Sequence, residues 1–370
     1  MKAIISGGGT GGHIFPAIAI ANAIKKRWPE AEILFIGAKG RMEMEKVPAA
    51  GYKIEALPIA GLQRSLKPKA LWQNLQLPFK VLRSQTKVRR IIRRFHPDIV
   101  VGVGGYASQP TLECASRMGL PTLLQEQNSY PGLTNKTLAK RARKICVAYE
   151  GLERFFPKEK IVLTGNPVRE AIEKSQVSRE EGLEAFGLNP ERRTILSVGG
   201  SLGARSINNM ILAHLNQFKE KDIQILWQTG RWQYDEAVQA VEKAGVGEWV
   251  KVHQFIQRMD QAYAAADVVI SRAGAIAISE LCLVGKPSVL IPSPNVAEDH
   301  QTKNAMALVT KGAAMMVRDD ACKEKGLSVV FDLLGSHTKQ EQMSAAIRKM
   351  GRPEAADRIA EEIEKIVGQR

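Results

Sequence analysis

Apolar residues in this chain fall into short runs of three to five, bounded by glycine, proline or charge, and longer segments with helical spacing lie between most of them. The runs predict strands at Lys2–Ile5, Glu32–Ile36, Lys53–Ala56, Ile99–Val103, Thr122–Gln125, Lys144–Ala148 and Ile161–Thr164. In the second half they predict strands at Thr194–Val198, Gln224–Trp227, Lys251–His253, Val268–Ser271, Ser288–Ile291 and Ala314–Val317. Strands alternating with helices argue for parallel sheets covered on both faces. One pattern occurs twice. Lys2–Ile5 runs through Ser6-Gly7-Gly8-Gly9-Thr10-Gly11-Gly12-His13 into a predicted helix over Ile14–Trp28. Thr194–Val198 runs through Gly199-Gly200-Ser201-Leu202-Gly203-Ala204-Arg205 into a predicted helix over Ser206–Leu215. A glycine turn there leaves backbone N–H groups at a helix start facing an anion, and glycine lets the backbone come close. The fold class is therefore α/β, with two Rossmann-like doubly wound domains expected to face a cleft. The first covers 1–165 and the second 166–349, with a junction at Gly165-Asn166-Pro167 and the polar stretch Glu173–Glu181. Glu354–Val367 reads as a charged amphipathic helix.

Composition narrows the class. No apolar run approaches the ~20 residues needed to cross a bilayer, and the charged, glycine-rich start does not read as a signal peptide. Cys114, Cys146, Cys282 and Cys322 form no CxxC pair, so they are expected to be core thiols in a reducing cytosol. The net charge of +15 is unevenly placed. Residues 1–165 hold 27 Lys and Arg against 11 Asp and Glu, while the remainder is close to balanced. Such a one-sided charge implies an anionic surface met by the first domain, with nucleic acid and anionic lipid as candidates. Within it, residues 64–94 carry ten bases and no acid, with Trp72, Leu75, Leu77 and Phe79 among them. Pro78 is expected to break or kink a helix there. Beyond it, Arg83, Lys87, Arg90 and Arg94 share one helical face, and Val81, Val88, Ile92 and Phe95 another. A basic stretch with exposed apolar groups fits a membrane surface.

Several strand ends carry candidate chemistry. Gly7-x-Gly9-x-x-Gly12 matches the dinucleotide fingerprint, but Ile36-Gly37-Ala38-Lys39 offers no acid at the second strand end to bind ribose. A nicotinamide or flavin reading is demoted on that ground. His13, in the first turn of a helix near its positive pole, has its charged form disfavoured and is a candidate base. Gly102–Ser108 is another glycine turn, with Gly104, Gly105 and Tyr106 placed to meet a second phosphate. Glu126-Gln127-Asn128 follows a strand at the edge where α/β sheets bind ligands. In the second half, Ser271–Glu280 enters a helix through small residues, and Glu280 is placed to accept from two ribose hydroxyls. Asp299–Asn304 opens the next helix. No Asp-x-Asp and no compact His/Cys/carboxylate cluster is present, so no metal and no cofactor is expected.

The segments GGGTGGHIFP, GVGGYASQP, EQNSYPGLTNK, GNPVR, VGGSLGAR, SRAGAIAISEL and EDHQTKNA, in that order, resemble the MurG family of peptidoglycan N-acetylglucosaminyltransferases. The resemblance spans nearly the whole chain. It implies a GT-B fold, with the C-terminal helix, about 350–370, crossing back to the first domain. It implies UDP-GlcNAc bound mainly by the second domain and lipid I approached through the first. Carried over by motif, Thr10, Gly11, Gly12 and Asn128 contact the donor, Arg169 and Ser201 its diphosphate, and Ile256 the uracil. Gly274, Ala275, Ile276, Ala277, Ile278 and Ser279 line the nucleotide, Glu280 holds the ribose and Gln301 the sugar. Ala277, Gln109 and Gln125 depart from the family pattern, where Thr or Ser, Gly and His are usual.

The expected activity is inverting, metal-independent transfer of GlcNAc from UDP to the C4 hydroxyl of MurNAc on undecaprenyl diphosphate. His13 or Glu126 is the base. The expected partners are UDP-GlcNAc, lipid I and anionic phospholipid at the cytoplasmic face of the inner membrane, with proteins of cell-wall synthesis as an open class. A different GT-B enzyme, either a glycolipid glycosyltransferase or a UDP-GlcNAc 2-epimerase, is the nearest rival. A nucleic-acid-binding module ranks lower, because no nucleic-acid motif accompanies the basic stretch.

Overall fold

A computed structural model describes residues 1–59, 77–200 and 202–369. Trp72 and Ser201 lie outside the described residues. The chain divides into two compact units, Met1–Arg169 with Glu354–Arg370, and Glu170–Pro353.

The first unit holds seven parallel strands: β1 (Lys2–Ser6), β2 (Glu32–Ala38), β3 (Lys53–Leu57), β4 (Ile99–Gly102), β5 (Thr122–Glu126), β6 (Lys144–Val147) and β7 (Ile161–Leu163). Their order is β3-β2-β1-β4-β5-β6-β7. The chain starts in the middle of the sheet, winds to one edge, then returns to place β4 beside β1. Ser6 pairs with Gly102 at their carboxyl ends. The loops leaving β1 and β4 diverge at this point, and ligands of doubly wound sheets bind in the crevice so formed. Alternate residues feed opposite faces of the sheet. Ile4, Val100 and Leu124 join one core, and Ile5, Val101 and Leu123 the other. Both faces are buried, which is why these strands read as continuous apolar runs.

Helix α1 (Gly11–Arg27) begins three residues before its predicted start and takes Gly11 and Gly12 into its first turn. Helix α2 (Glu43–Ala49) follows β2, and α3 (Leu77–Phe95) precedes β4. The helix is continuous from Leu77 across Pro78 to Phe95, the residues before Leu77 lying outside the described ones. The two faces of α3 are as expected, with Val88, Ile91 and Ile92 buried and Phe79 and Leu82 exposed. The C-terminal helix Ala355–Gly368 packs Ile359 and Ile363 into the α1 face of the first unit. Lys26–Asp357 at 3.0 Å and Arg27–Glu364 pair along its edge.

The second unit repeats the design with β8 (Arg193–Val198), β9 (Ile223–Gln228), β10 (Val250–His253), β11 (Val268–Ser271), β12 (Ser288–Leu290) and β13 (Met315–Met316). These six parallel strands run in the order β10-β9-β8-β11-β12-β13. The predicted helix over Ser206–Leu215 is two helices, Arg205–Leu212 and Leu215–Glu220. Trp227 is fully buried, and its indole N–H reaches Asn208 Oδ1 at 3.0 Å. All four cysteines are buried free thiols. Burial pushes Cys322 up to about 11 and Cys282 to about 12, so they are inert at neutral pH. Among the described residues no helix is long and apolar enough to cross a membrane.

Candidate active site

The turn after β1 packs directly on the turn after β4. A Cβ on Gly105 would lie 2.3 Å from the Gly8 carbonyl oxygen, and one on Gly7 would lie 2.1 Å from Val103 Cγ2. The Ser108 hydroxyl ties the two together, sited 2.6 Å from Ser6 O and 2.9 Å from Gly104 O. Glycine is required because two backbones meet here. His13 stands in the first turn of α1. Its Nδ1 is 3.2 Å from Thr10 Oγ1. Its Nε2 faces Gly104, where a Cβ would come within 2.9 Å. The unit thus brings Thr10, His13, Gly104, Gly105 and the exposed Tyr106 to one place at the carboxyl ends of β1 and β4.

Sequence reasoning missed Glu43. Its carboxylate accepts the Gly9 N–H on Oε2 at 2.9 Å and the Ala38 N–H on Oε1 at 3.0 Å, and the residue is 1 % exposed. The acid absent from the end of β2 therefore arrives from α2, five residues beyond Ala38. It is bonded to backbone. Nothing in the local spacing marks it.

Glu126 ends β5 and is buried. Its Oε1 accepts from Asn128 N at 3.0 Å and Asn128 Nδ2 at 3.2 Å, and its Oε2 accepts from Gly132 N at 3.2 Å and Asn135 Nδ2 at 2.8 Å. Burial raises its pKa, and these N–H bonds oppose the rise. Three donors from the loop after β5 and one from the following helix, Leu133–Leu138, engage the carboxylate. Next to it, Gln125 Nε2 donates to Asn166 Oδ1 at 2.9 Å. Asn166 Nδ2 donates to Gln127 O at 2.9 Å, and Gln127 Nε2 to Val103 O at 2.8 Å. This buried network joins the loops after β4, β5 and β7. Arg169 is exposed at the end of that unit.

In the second unit the turn after β8 interlocks with the end of β9, where a Cβ on Gly203 would lie 1.9 Å from Thr229 O. Gln228 bridges this turn to the loop after β10, donating to Gly200 O at 3.0 Å and accepting from Ile256 N at 2.8 Å. Ile256 itself is buried. Arg272, just past β11, donates to Ile291 O at 3.0 Å and Ser206 Oγ at 2.8 Å and pairs with Asp319. Gly274 is the extended cap of helix Ala275–Val284. Ala275, Ile276, Ala277 and Ser279 are half-buried there, while Ile278 turns into the core. Glu280 is 4 % exposed, and the Tyr263 hydroxyl donates to its Oε2 at 3.1 Å. Gln301 accepts the Ser293 N–H at 2.8 Å.

Comparison with known proteins meets this geometry at both ends. Residues 3–147 match the glycosyltransferase family 28 N-terminal domain, and residues 194–359 match the family 28 C-terminal domain. A Bacteroides fragilis protein named UDP-N-acetylglucosamine–N-acetylmuramyl-(pentapeptide) pyrophosphoryl-undecaprenol N-acetylglucosamine transferase is 54 % identical over 370 residues, covering 100 % of this chain and 96 % of its own. A Parabacteroides distasonis protein of the same name is 55 % identical over 369 residues, covering 100 % and 99 %. The crystal structure of Acinetobacter baumannii MurG superposes with a TM-score of 0.78 at 27 % identity, over 98 % of this chain and 99 % of that one. The chain belongs to the MurG family.

Membership makes it a glycosyltransferase of the GT-B fold, and the nicotinamide, epimerase and nucleic-acid-binding readings fall away. The MurG-family segments occupy equivalent positions in both units. GGGTGGH, GVGGYAS, EQN and GNPVR follow β1, β4, β5 and β7, and GGSLGAR and RAGAIAISE follow β8 and β11. All lie at carboxyl ends of parallel strands, where this architecture places its chemistry. Gln109 lies exposed in the first turn of helix Ser108–Arg117.

Proposed function

We propose that the chain transfers N-acetylglucosamine from UDP-GlcNAc to the C4 hydroxyl of the MurNAc unit of lipid I, with inversion, giving lipid II. The observation that carries this is 54 % identity along the whole chain to a transferase named for that acceptor. Residue roles follow the motif positions. Glu280 takes the ribose hydroxyls, Ile256 the uracil and Gln301 the sugar, while Gly274–Ser279 line the nucleotide. Arg169 and Ser201 meet the donor diphosphate. Thr10, Gly11, Gly12 and Asn128 complete the donor contacts, and Gly104, Gly105 and Tyr106 meet the acceptor diphosphate.

The reaction is a single displacement. The acceptor O4 attacks the anomeric carbon, the bond from that carbon to the diphosphate oxygen breaks, and UDP leaves with the electron pair. The hydroxyl proton needs an acceptor as the bond forms. His13 is assigned that role, on the edge that faces Gly104. Glu126 is assigned to holding its loop, a role supported by its four N–H donors. The charge on the departing diphosphate is met by backbone N–H groups at helix starts and by Arg169.

The enzyme works as a peripheral protein at the cytoplasmic face of the inner membrane, docked through α3 on anionic phospholipid. Phe79 is 71 % exposed and Leu82 61 %. Leu82, Arg83, Lys87, Arg90 and Arg94 line one groove with Glu55. Basic residues beside anionic lipid contribute roughly 1 kcal/mol each.

His13→Ala tests the chemical assignment. It should lower kcat by about 10²–10⁴, the scale of general base catalysis, and leave the Kd for UDP unchanged because no donor contact to uracil or ribose is lost. A parental kcat rejects His13 as the base.

A further inference from the structure

We propose that Glu43 is a positioning residue whose carboxylate shapes the turn Gly8–His13 and thereby aims the His13 ring. This rests on the reading of His13 as the base. The turn between β1 and α1 has Gly8 at φ 149° and Gly9 at φ 89°. Neither β1 nor α1 dictates that conformation, so something else must. Glu43 accepts the Gly9 N–H at 2.9 Å with one oxygen and the Ala38 N–H at 3.0 Å with the other. One buried carboxylate thus fastens the turn to the end of β2.

The surroundings are built to seat that side chain. A Cβ on Gly8 would lie 2.2 Å from Glu43 Oε1, and one on Gly37 would lie 2.6 Å from Glu43 Cγ. Gly8 in the turn and Gly37 in β2 make room for it. The turn N–H that a phosphate would occupy in a nucleotide-binding unit is here occupied by the protein's own anion. From Gly9 the path to the base is one residue long. Thr10 O accepts the His13 N–H at 3.1 Å, and Thr10 Oγ1 lies 3.2 Å from His13 Nδ1. A displacement of Gly9 therefore passes straight to the imidazole.

Only a carboxylate accepts both N–H groups. A glutamine keeps the shape, accepts one, and turns its NH2 toward the other. E43Q should lower kcat by about 10- to 100-fold, the scale on which small misplacements of reacting groups act. Kd for UDP, whose uracil and ribose contacts are assigned to the second unit, should hold within about twofold. Amide exchange in the segment 5–14 should accelerate. In the H13A background E43Q should change kcat by less than about twofold, since groups acting as a unit are non-additive. A parental kcat in E43Q, unchanged exchange of 5–14, or independent losses in the double variant would each overturn the proposal. So would an E43Q protein that fails to fold, which makes Glu43 scaffold only. A parental kcat in H13A alone is a different result. It rejects the base reading and the step from Glu43 to His13, whereas the exchange measurement still reports whether Glu43 holds the turn.

Discussion

Glu280→Gln puts the donor assignment to the most direct test. Glu280 is the sixth residue of helix Ala275–Val284 and is 4 % exposed. Glutamine fills the same volume, so a change in affinity is not a repacking effect. The Tyr263 hydroxyl donates to Oε2 at 3.1 Å, and an amide oxygen can keep that bond. The amide nitrogen is then left toward the ribose, where it accepts nothing. Two charge-assisted bonds from ribose hydroxyls fall to at most one neutral bond. With charged hydrogen bonds at about 1.5–3 kcal/mol each and a neutral one at about 0.5–1.5, the net loss is about 2.5–4.5 kcal/mol. That corresponds to a Kd for UDP raised about 60- to 1,600-fold in calorimetry. A second ligand sharpens the test. The parent should discriminate UDP from 2′-deoxy-UDP, and E280Q should not. Tyr263→Phe, which removes only the hydroxyl orienting the carboxylate, should cost about 0.5–1.5 kcal/mol. Unchanged affinity in E280Q, with retained discrimination against the deoxynucleotide, refutes the ribose role.

Changing Phe79 and Leu82 together to serine should reduce partition onto anionic vesicles by at least about tenfold, given roughly 1.5–3 kcal/mol for each buried side chain of this size. Melting temperature and turnover of a short-chain soluble acceptor should be unaffected, and equal partition by variant and parent refutes the docking role. Glu126→Gln should lower stability by about 1.5–3 kcal/mol in urea titration, because an amide cannot accept from four N–H groups. A parental urea midpoint with lost turnover would instead make Glu126 a reacting group.

The strands were legible because a parallel strand buried on both faces is a plain apolar run. Ile4 and Ile5 feed opposite cores, so no polar residue interrupts them. Helix starts were less legible. Glycine reads as turn, yet Gly11 and Gly12 form the first turn of α1. The motif loops could be found because each sits directly after a strand. Glu43, Gln228 and Tyr263 could not. Each reaches the site from a separate element, and Glu43 and Gln228 do so through backbone groups that leave no trace in spacing. The cavity each side chain needs is recorded elsewhere, in Gly8 and Gly37 for Glu43.

The recurring strand–glycine–helix pattern serves two different ends in this chain. In the first unit the glycines admit protein atoms: Gly7 takes Val103, Gly8 takes Glu43, and Gly105 takes the Gly8 backbone. The turn after β1 is filled from within, and what it presents is the side chain of His13. In the second unit Gly203 likewise interlocks with Thr229, but Gly200 and Gly274 differ. Among the described residues nothing lies within 4 Å of a Cβ built on either. Gly200 has φ 88°, which itself calls for glycine. Gly274 has an ordinary extended backbone, φ −67° and ψ 143°, that any residue adopts. Gly274 thus leaves open a helix start whose N–H groups favour an anion. The turn after β1 is thus closed by protein atoms at Gly7, Gly8 and Gly105, whereas the start of helix Ala275–Val284 is left open at Gly274, where the proposed function places the donor nucleotide.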